Sequence, residues 1–191
     1  MSTDRSMTSP DDLSDQQLVA AINQGDSDAF RVLYERYRDW AMRLAWRFTG
    51  HHDDAQDVLQ ETFAYLVRKF PGFRLTCAMT TFLYPAIRHL AIEARRRRLR
   101  SVGSEPNPDI RESPQQESQA AFDDELSVWL RALSPQHREI LLMRFVDDMT
   151  QPEIAKALNL PLGTVKSRLH HATQAAGQLL QRRGRAAMDE K

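Results

Sequence analysis

The sequence predicts an all-α protein of two small helical domains joined by a flexible linker, and three observations predict it. Apolar residues recur at helical intervals along most of the chain. No stretch alternates with period two for long enough to make a convincing strand. A polar segment with three prolines and no aromatic residue, "SVGSEPNPDIRESPQQESQ", interrupts the pattern near the middle of the 191 residues.

Each helix carries its own start and stop signals. "LSDQQLVAAINQG" opens with Ser14 and has Gln17 three residues on, a capping box, and it stops at Gly25. In the segment that follows, Phe30, Leu33, Tyr34 and Tyr37, then Leu44, Ala45 and Phe48, hold one apolar face until Gly50. A third face runs through Ala55, Val58, Leu59, Phe63, Leu66, Val67 and Phe70, and the Pro71-Gly72 pair ends it. A fourth helix spans about Thr80 to Leu99; Pro85 within it predicts a kink or a helix start, because proline removes a helical hydrogen bond. Beyond the linker, Ser134 with Pro135 at the first helical position starts a helix. Thr150 and Glu153 form a second capping box, and that helix ends near Asn159, which tolerates the left-handed conformation.

The 26 basic residues balance 26 acids, but the charge is segregated. Residues 1–28 hold six acids against Arg5, and residues 104–125 hold seven against Arg111. Residues 88–100 hold six arginines against Glu93, and residues 164–185 hold five basic residues and no acid. Two separate basic clusters predict two anionic contacts, with a phosphate backbone as one candidate and solvated helix ends as the other. The acidic segments are candidates for masking them in the free protein. No apolar run approaches the roughly 20 residues of a membrane span, and the polar N-terminus is unlike a secretory signal. With a single Cys77, a cytoplasmic protein is expected.

The stretch "NLPLGTVKSRLHHA", residues 159–172, completes a helix-turn-helix with the helix before it. Ile154, Ala155, Leu158, Leu160, Val165 and Leu169 are expected to meet between the two helices, with the small Ala155 where they cross. Lys166, Ser167, His170 and His171 then face outward, where lysine, serine and neutral histidine can donate to base edges in a major groove. Arg168 on the flank suits a phosphate, and the amides near Gly163 and Thr164 suit another. Protonation of His170 and His171 is expected to make binding pH-sensitive near neutrality. A helical hairpin in an ordinary bundle is the competing reading. "HHDDAQD", residues 51–57, invites a metal, yet adjacent histidines diverge on a helix and neither a cysteine set nor an HExxH arrangement accompanies them. No metal or other cofactor is expected. With no nucleophile–base arrangement and no Gly-rich phosphate loop, no enzyme activity is expected either.

The segments "GDSDAFRVLYERY", "DDAQDVLQETFAYLVRKFPGF", "TTFLYPAIRHLAIEARRRR" and "LSPQHREILLMRFVDDMTQPEIAKALNLPLGTVKSRL" resemble, in this order, bacterial RNA polymerase sigma factors of the extracytoplasmic-function (ECF) group of the sigma-70 family. The resemblance implies a tail over residues 1–11, a sigma region 2 domain over 12–100, and a linker over 101–121. It implies a sigma region 4 helix-turn-helix domain over 122–183 and a tail over 184–191. It also implies three contacts. Asp54, Asp57, Gln60, Glu61 and Phe63 would dock on the clamp coiled coil of the largest subunit of core RNA polymerase, the second domain meeting the flap. Arg74, Phe82, Tyr84, Arg88, His89, Glu93, Arg96 and Arg97 would hold the separated strands of the promoter −10 element. Gly163, Thr164, Lys166, Ser167, Arg168, His170 and His171 would read the duplex −35 element. An anti-sigma partner and a cytoplasmic, nucleoid-associated location follow from the same resemblance, with no membrane contact. Phe82 stands where many relatives have Trp, and His89 and Glu93 where they have Asn and Asp. The alternative is a stand-alone helix-turn-helix regulator, which has no need of the "DVLQETF" helix or the aromatic-basic segment after it.

Overall fold

The structure, a computed structural model, describes residues 13–101 and 130–189. Its helices are α1 (Asp15–Asn23), α2 (Ser27–Thr49), α3 (His52–Val67), α4 (Met79–Ser101), α5 (Pro135–Phe145), α6 (Gln151–Leu158) and α7 (Leu162–Asp189). No strand occurs among the described residues. The linker read at residues 101–121 lies, from residue 102 on, outside the described residues.

α2 is the axle of the first domain, packed against α1, α3 and α4, and α3 and α4 pack against each other. Its boundaries are local chemistry. The Asp26 carboxylate accepts from the amides of Asp28 and Ala29, and Gly50 closes the helix at φ 72°, where a side chain would be strained. The expected capping box of α1 is present: Ser14 and Gln17 exchange bonds of 2.8 and 3.4 Å. Leu18, Leu33, Leu44, Ala55, Leu66, Met79, Leu83 and Ile87 are sealed in the core.

Two boundaries differ from expectation. α3 ends at Val67, earlier than Phe70, because the amides of Lys69 and Phe70 turn back to the carbonyls of Leu66 and Val67. The turn is then held from α1. Asn23 accepts from the amides of Gly72 (2.6 Å) and Phe73 (3.1 Å) and donates to the Phe73 carbonyl (2.8 Å). Secondly, the alternative of a helix start at Pro85 is overturned, since α4 begins at Met79 and runs through the proline. An interior proline costs about 3 kcal/mol. Met79, Leu83 and Ile87, fully buried on either side of it, each contribute roughly 1.5–3 kcal/mol by burial. The apolar face therefore carries the helix past an exposed Pro85.

In the second domain α5 packs on α7, and α6 packs on both. Ser134 accepts from the His137 amide at 3.3 Å with Pro135 at the helix start, as read from the sequence. Thr150 donates through its amide and hydroxyl to Glu153, at 2.7 and 2.6 Å. Asn159 takes φ 51°, the left-handed turn between α6 and α7. Ile154, Val165 and Leu169 are buried in the crossing. Ala155, Leu158 and Leu160 are half-buried against it, and the buried alanines of α6 and α7 among the described residues are Ala157, Ala172 and Ala176. Arg138 is 5% exposed and donates to the carbonyls of Leu130 (2.7 Å), Arg131 (3.2 Å) and Leu133 (3.2 Å), tying the chain ahead of α5 to that helix.

Candidate nucleic-acid interface

The α6–turn–α7 unit presents one polar face. Val165, Leu169, Ala172 and Ala176 turn inward, while Lys166, Ser167, His170 and His171 are exposed on the other side and Arg168 is half-buried beside them. The two imidazole rings meet edge to face at 5.6 Å. The Ser167 hydroxyl donates to the Thr164 carbonyl at 3.1 Å, which engages its proton within the helix and leaves its oxygen to accept. One expectation fails here: the Thr164 amide is not presented to a phosphate, because the first turn of α7 closes tightly and this amide donates to the Pro161 carbonyl at 2.9 Å. Gly163 is exposed, with nothing within 4 Å of the Cβ it lacks.

The −10 candidates divide into three groups. Arg74, His89, Glu93, Arg96 and Arg97 are exposed, with His89 and Glu93 paired across one turn at 3.6 Å. Phe82 is half-buried, stacked on Tyr65 at 6.2 Å and leaning on Phe73 at 4.8 Å, so the aromatic platform contains Tyr65, which the sequence did not single out. Tyr84 does not join this surface. It is 1% exposed, and burial, followed by the charge of Glu139, pushes its phenol well above its ordinary pKa. A ring packed edge-on to Phe48 at 6.3 Å cannot also stack on a base. Arg88 is half-buried and donates through Nε to Glu139 at 2.7 Å.

On α3, Asp57, Gln60 and Glu61 are exposed and Asp54 is half-buried. Phe63 is not on that face: it is 5% exposed and packs edge-on against Tyr34 at 4.7 Å. Helical geometry explains it, since Ala55, Val58, Thr62, Phe63 and Leu66 form the buried stripe. The acids of α3 also meet the arginines of α4. Asp54 pairs with Arg98 at 3.2 Å and Glu61 with Arg97 at 3.9 Å. Among the described residues, no three His, Cys, Asp or Glu side chains are grouped to hold a metal ion.

The polar contacts that join the second domain to the first were not singled out by sequence. Asp147, just after α5, accepts from the Trp40 indole at 3.0 Å and from Arg47 at 2.6 Å, both on α2. Glu139 on α5 accepts from the Tyr84 hydroxyl at 3.0 Å as well as from Arg88. Partners more than 50 residues away leave no periodic trace; the adjacent Asp147-Asp148 pair is the one signal, and it reads as a turn.

Comparison with known proteins agrees with this geometry. Residues 33–101 match the sigma-70 region 2 family and residues 124–175 the sigma-70 region 4 family. The RNA polymerase sigma-H factor of Pseudomonas aeruginosa is 32% identical, over 87% of this chain and 94% of its own. The ECF RNA polymerase sigma factor SigW of Bacillus subtilis is 26% identical, over 82% and 91%. The sigma factor RpoE of Bartonella quintana, solved in complex with the anti-sigma factor NepR, superposes with a TM-score of 0.60 at 21% identity, covering 80% of this chain and 96% of its own; it shares the fold. A stand-alone regulator has no place for the region 2 match, and that alternative is set aside. The chain belongs to the sigma-70 family of RNA polymerase sigma factors, in the extracytoplasmic-function group, whose members direct transcription initiation.

Proposed function

We propose that this chain docks on core RNA polymerase through the acidic face of α3, captures the opened −10 strand with the exposed arginines and aromatic platform around α4, and reads duplex −35 DNA with α7. The observation that carries the reading is the face of α7: Lys166, Ser167, His170 and His171 lie exposed on one side of a helix whose other side is anchored in the helix-turn-helix core. Residues 12–100 and 122–183 are the working domains. The exposed Arg74, Arg96 and Arg97 suit backbone phosphates, and Phe82 with Tyr65 and Phe73 offers a stacking surface. Asp57, Gln60 and Glu61 face the polymerase, and docking there exchanges the Glu61–Arg97 pair for partner contacts. The exposed Phe145 and Val146 are the apolar surface of the second domain that suits the flap. The chain itself performs no covalent chemistry, works in the cytoplasm at the nucleoid, and has an anti-sigma protein as its regulator.

The test is transcription from genomic DNA fragments by sigma-free core polymerase with this protein added, mapping transcript starts. New starts that share two spaced upstream elements are the expected result. Their absence refutes the reading. In the same assay, Asp57→Asn with Glu61→Gln lowers affinity for core polymerase, measured by competition against a labelled parent chain; unchanged affinity moves the docking face elsewhere.

A further inference from the structure

Two acids of the second domain reach into the first. Asp147 and Arg47 are 3% and 9% exposed, and the Asp147 carboxylate uses one oxygen for Arg47 and the other for the Trp40 indole. Glu139 is 17% exposed, and a single oxygen, Oε1, accepts from both the Tyr84 hydroxyl and Arg88 Nε. A third strut is weaker: Lys156 of α6 donates to the Thr76 carbonyl at 3.4 Å, where α6 lies on α4. Seven residues line the cleft between the domains, and three of them, Arg47, Arg138 and Glu139, are charged.

We propose that Glu139 and Asp147 form an intramolecular clasp that closes the free chain and withholds Arg88 from promoter DNA until the domains separate. The inference rests on the proposed capture of the −10 strand and on the place in it that the family resemblance implies for Arg88. The chemistry of competition is direct. A guanidinium takes a carboxylate and a phosphate with the same donors, so Glu139 occupies on Arg88 the position a strand phosphate needs.

The contact is also of a kind that opens. A buried ion pair gains little over its separated, hydrated partners, because desolvation offsets most of the attraction. Arg47 illustrates the residual cost: its Nη1 is buried with no hydrogen-bond partner. A polar junction between domains, bridged by residues 102–129 of chain, favours relative motion far more than an apolar one does. Closure then scales the apparent DNA affinity by the open fraction: a clasp that keeps nine molecules in ten shut weakens binding about tenfold.

The experiment uses the full chain with Glu139→Gln and Asp147→Asn together, which keep side-chain size and most of the hydrogen bonding. A second variant, Asp28→Asn with Asp39→Asn, removes the same charge from exposed positions on α2, so that charge and clasp are separated. Circular dichroism establishes that both are folded. Solution X-ray scattering gives the radius of gyration, and a fluorescent single-stranded DNA oligonucleotide gives the affinity of the free chain. The expected result is a larger radius and up to about tenfold tighter binding for the clasp variant alone. An unchanged radius overturns the proposal, as does expansion without tighter binding, or equal tightening in both variants. Arg88→Ala in the polymerase-bound chain tests the underlying reading separately. Undiminished promoter binding there withdraws Arg88 from DNA and overturns the competition, while the radius still reports whether the clasp exists.

Discussion

Lys166 and Arg168 are two residues apart on α7 and have different surroundings, one exposed and the other half-buried on the flank. That difference sorts their roles. Lys166→Ala is expected to cost roughly 1–3 kcal/mol on the preferred −35 duplex and much less on unrelated duplex, whereas Arg168→Ala weakens both alike. Parallel titrations of the two duplexes at one salt concentration decide it. Arg138 acts on a different level. Its guanidinium is the donor for three carbonyls in a buried setting, so Arg138→Met leaves those acceptors unmet and is expected to lower stability by about 2–4 kcal/mol in denaturant titration. Nothing in the string "PQHREILLM" sets Arg138 apart from a surface arginine; its carbonyl partners are contributed by the turn before it.

At the scale of elements, helix ends were the most legible features, because a cap is a negotiation among neighbours in sequence. Ser14 with Gln17, Ser134 with Pro135, Thr150 with Glu153 and Asn159 all act where their spacing places them. The α3–α4 turn shows the opposite case. It is held by Asn23, 49 and 50 residues away from the amides it accepts from. Asn23→Ala removes three hydrogen bonds to backbone that carries Phe73 into the aromatic platform. The expected result is a loss of about 1–3 kcal/mol in thermal or chemical unfolding, with weaker binding of single-stranded DNA. Alanine at Asn23 keeps the helix, so a change confined to DNA binding would show that the turn positions the platform and adds little to stability.

At the scale of the whole molecule, two phenols, the sealed Tyr84 and the half-buried Tyr37, tie stability to alkaline pH. Tyr84 and Tyr37 both have pKa values raised by burial; Tyr84 sits beside Glu139, and Tyr37 donates to Asp15. A folded-state pKa above the unfolded one means that the folded chain holds its proton more tightly. This stabilisation is complete below about pH 10 and is lost as pH rises beyond that value. Melting temperature is therefore expected to fall progressively as pH rises above about 10, and Tyr84→Phe reduces the slope. Because Tyr84 also donates to the clasp, the same pH rise is expected to enlarge the radius of gyration of the parent chain.

The sequence by itself determined the helices, their caps, the division into two domains and the polar face of α7, since each depends on spacings of a few residues. It also carried the family resemblance. Only the tertiary structure decided which aromatic side chains are available: Tyr84 is sealed beneath α5 and Phe63 beneath α2, while Tyr65 joins Phe82. It alone brought Asp147 to Arg47 and Glu139 to Arg88, across 100 and 51 residues. Helical periodicity tells which side of a helix is apolar. It cannot tell which charge another domain will lay against the polar side, because that choice is made by packing between segments distant in the chain.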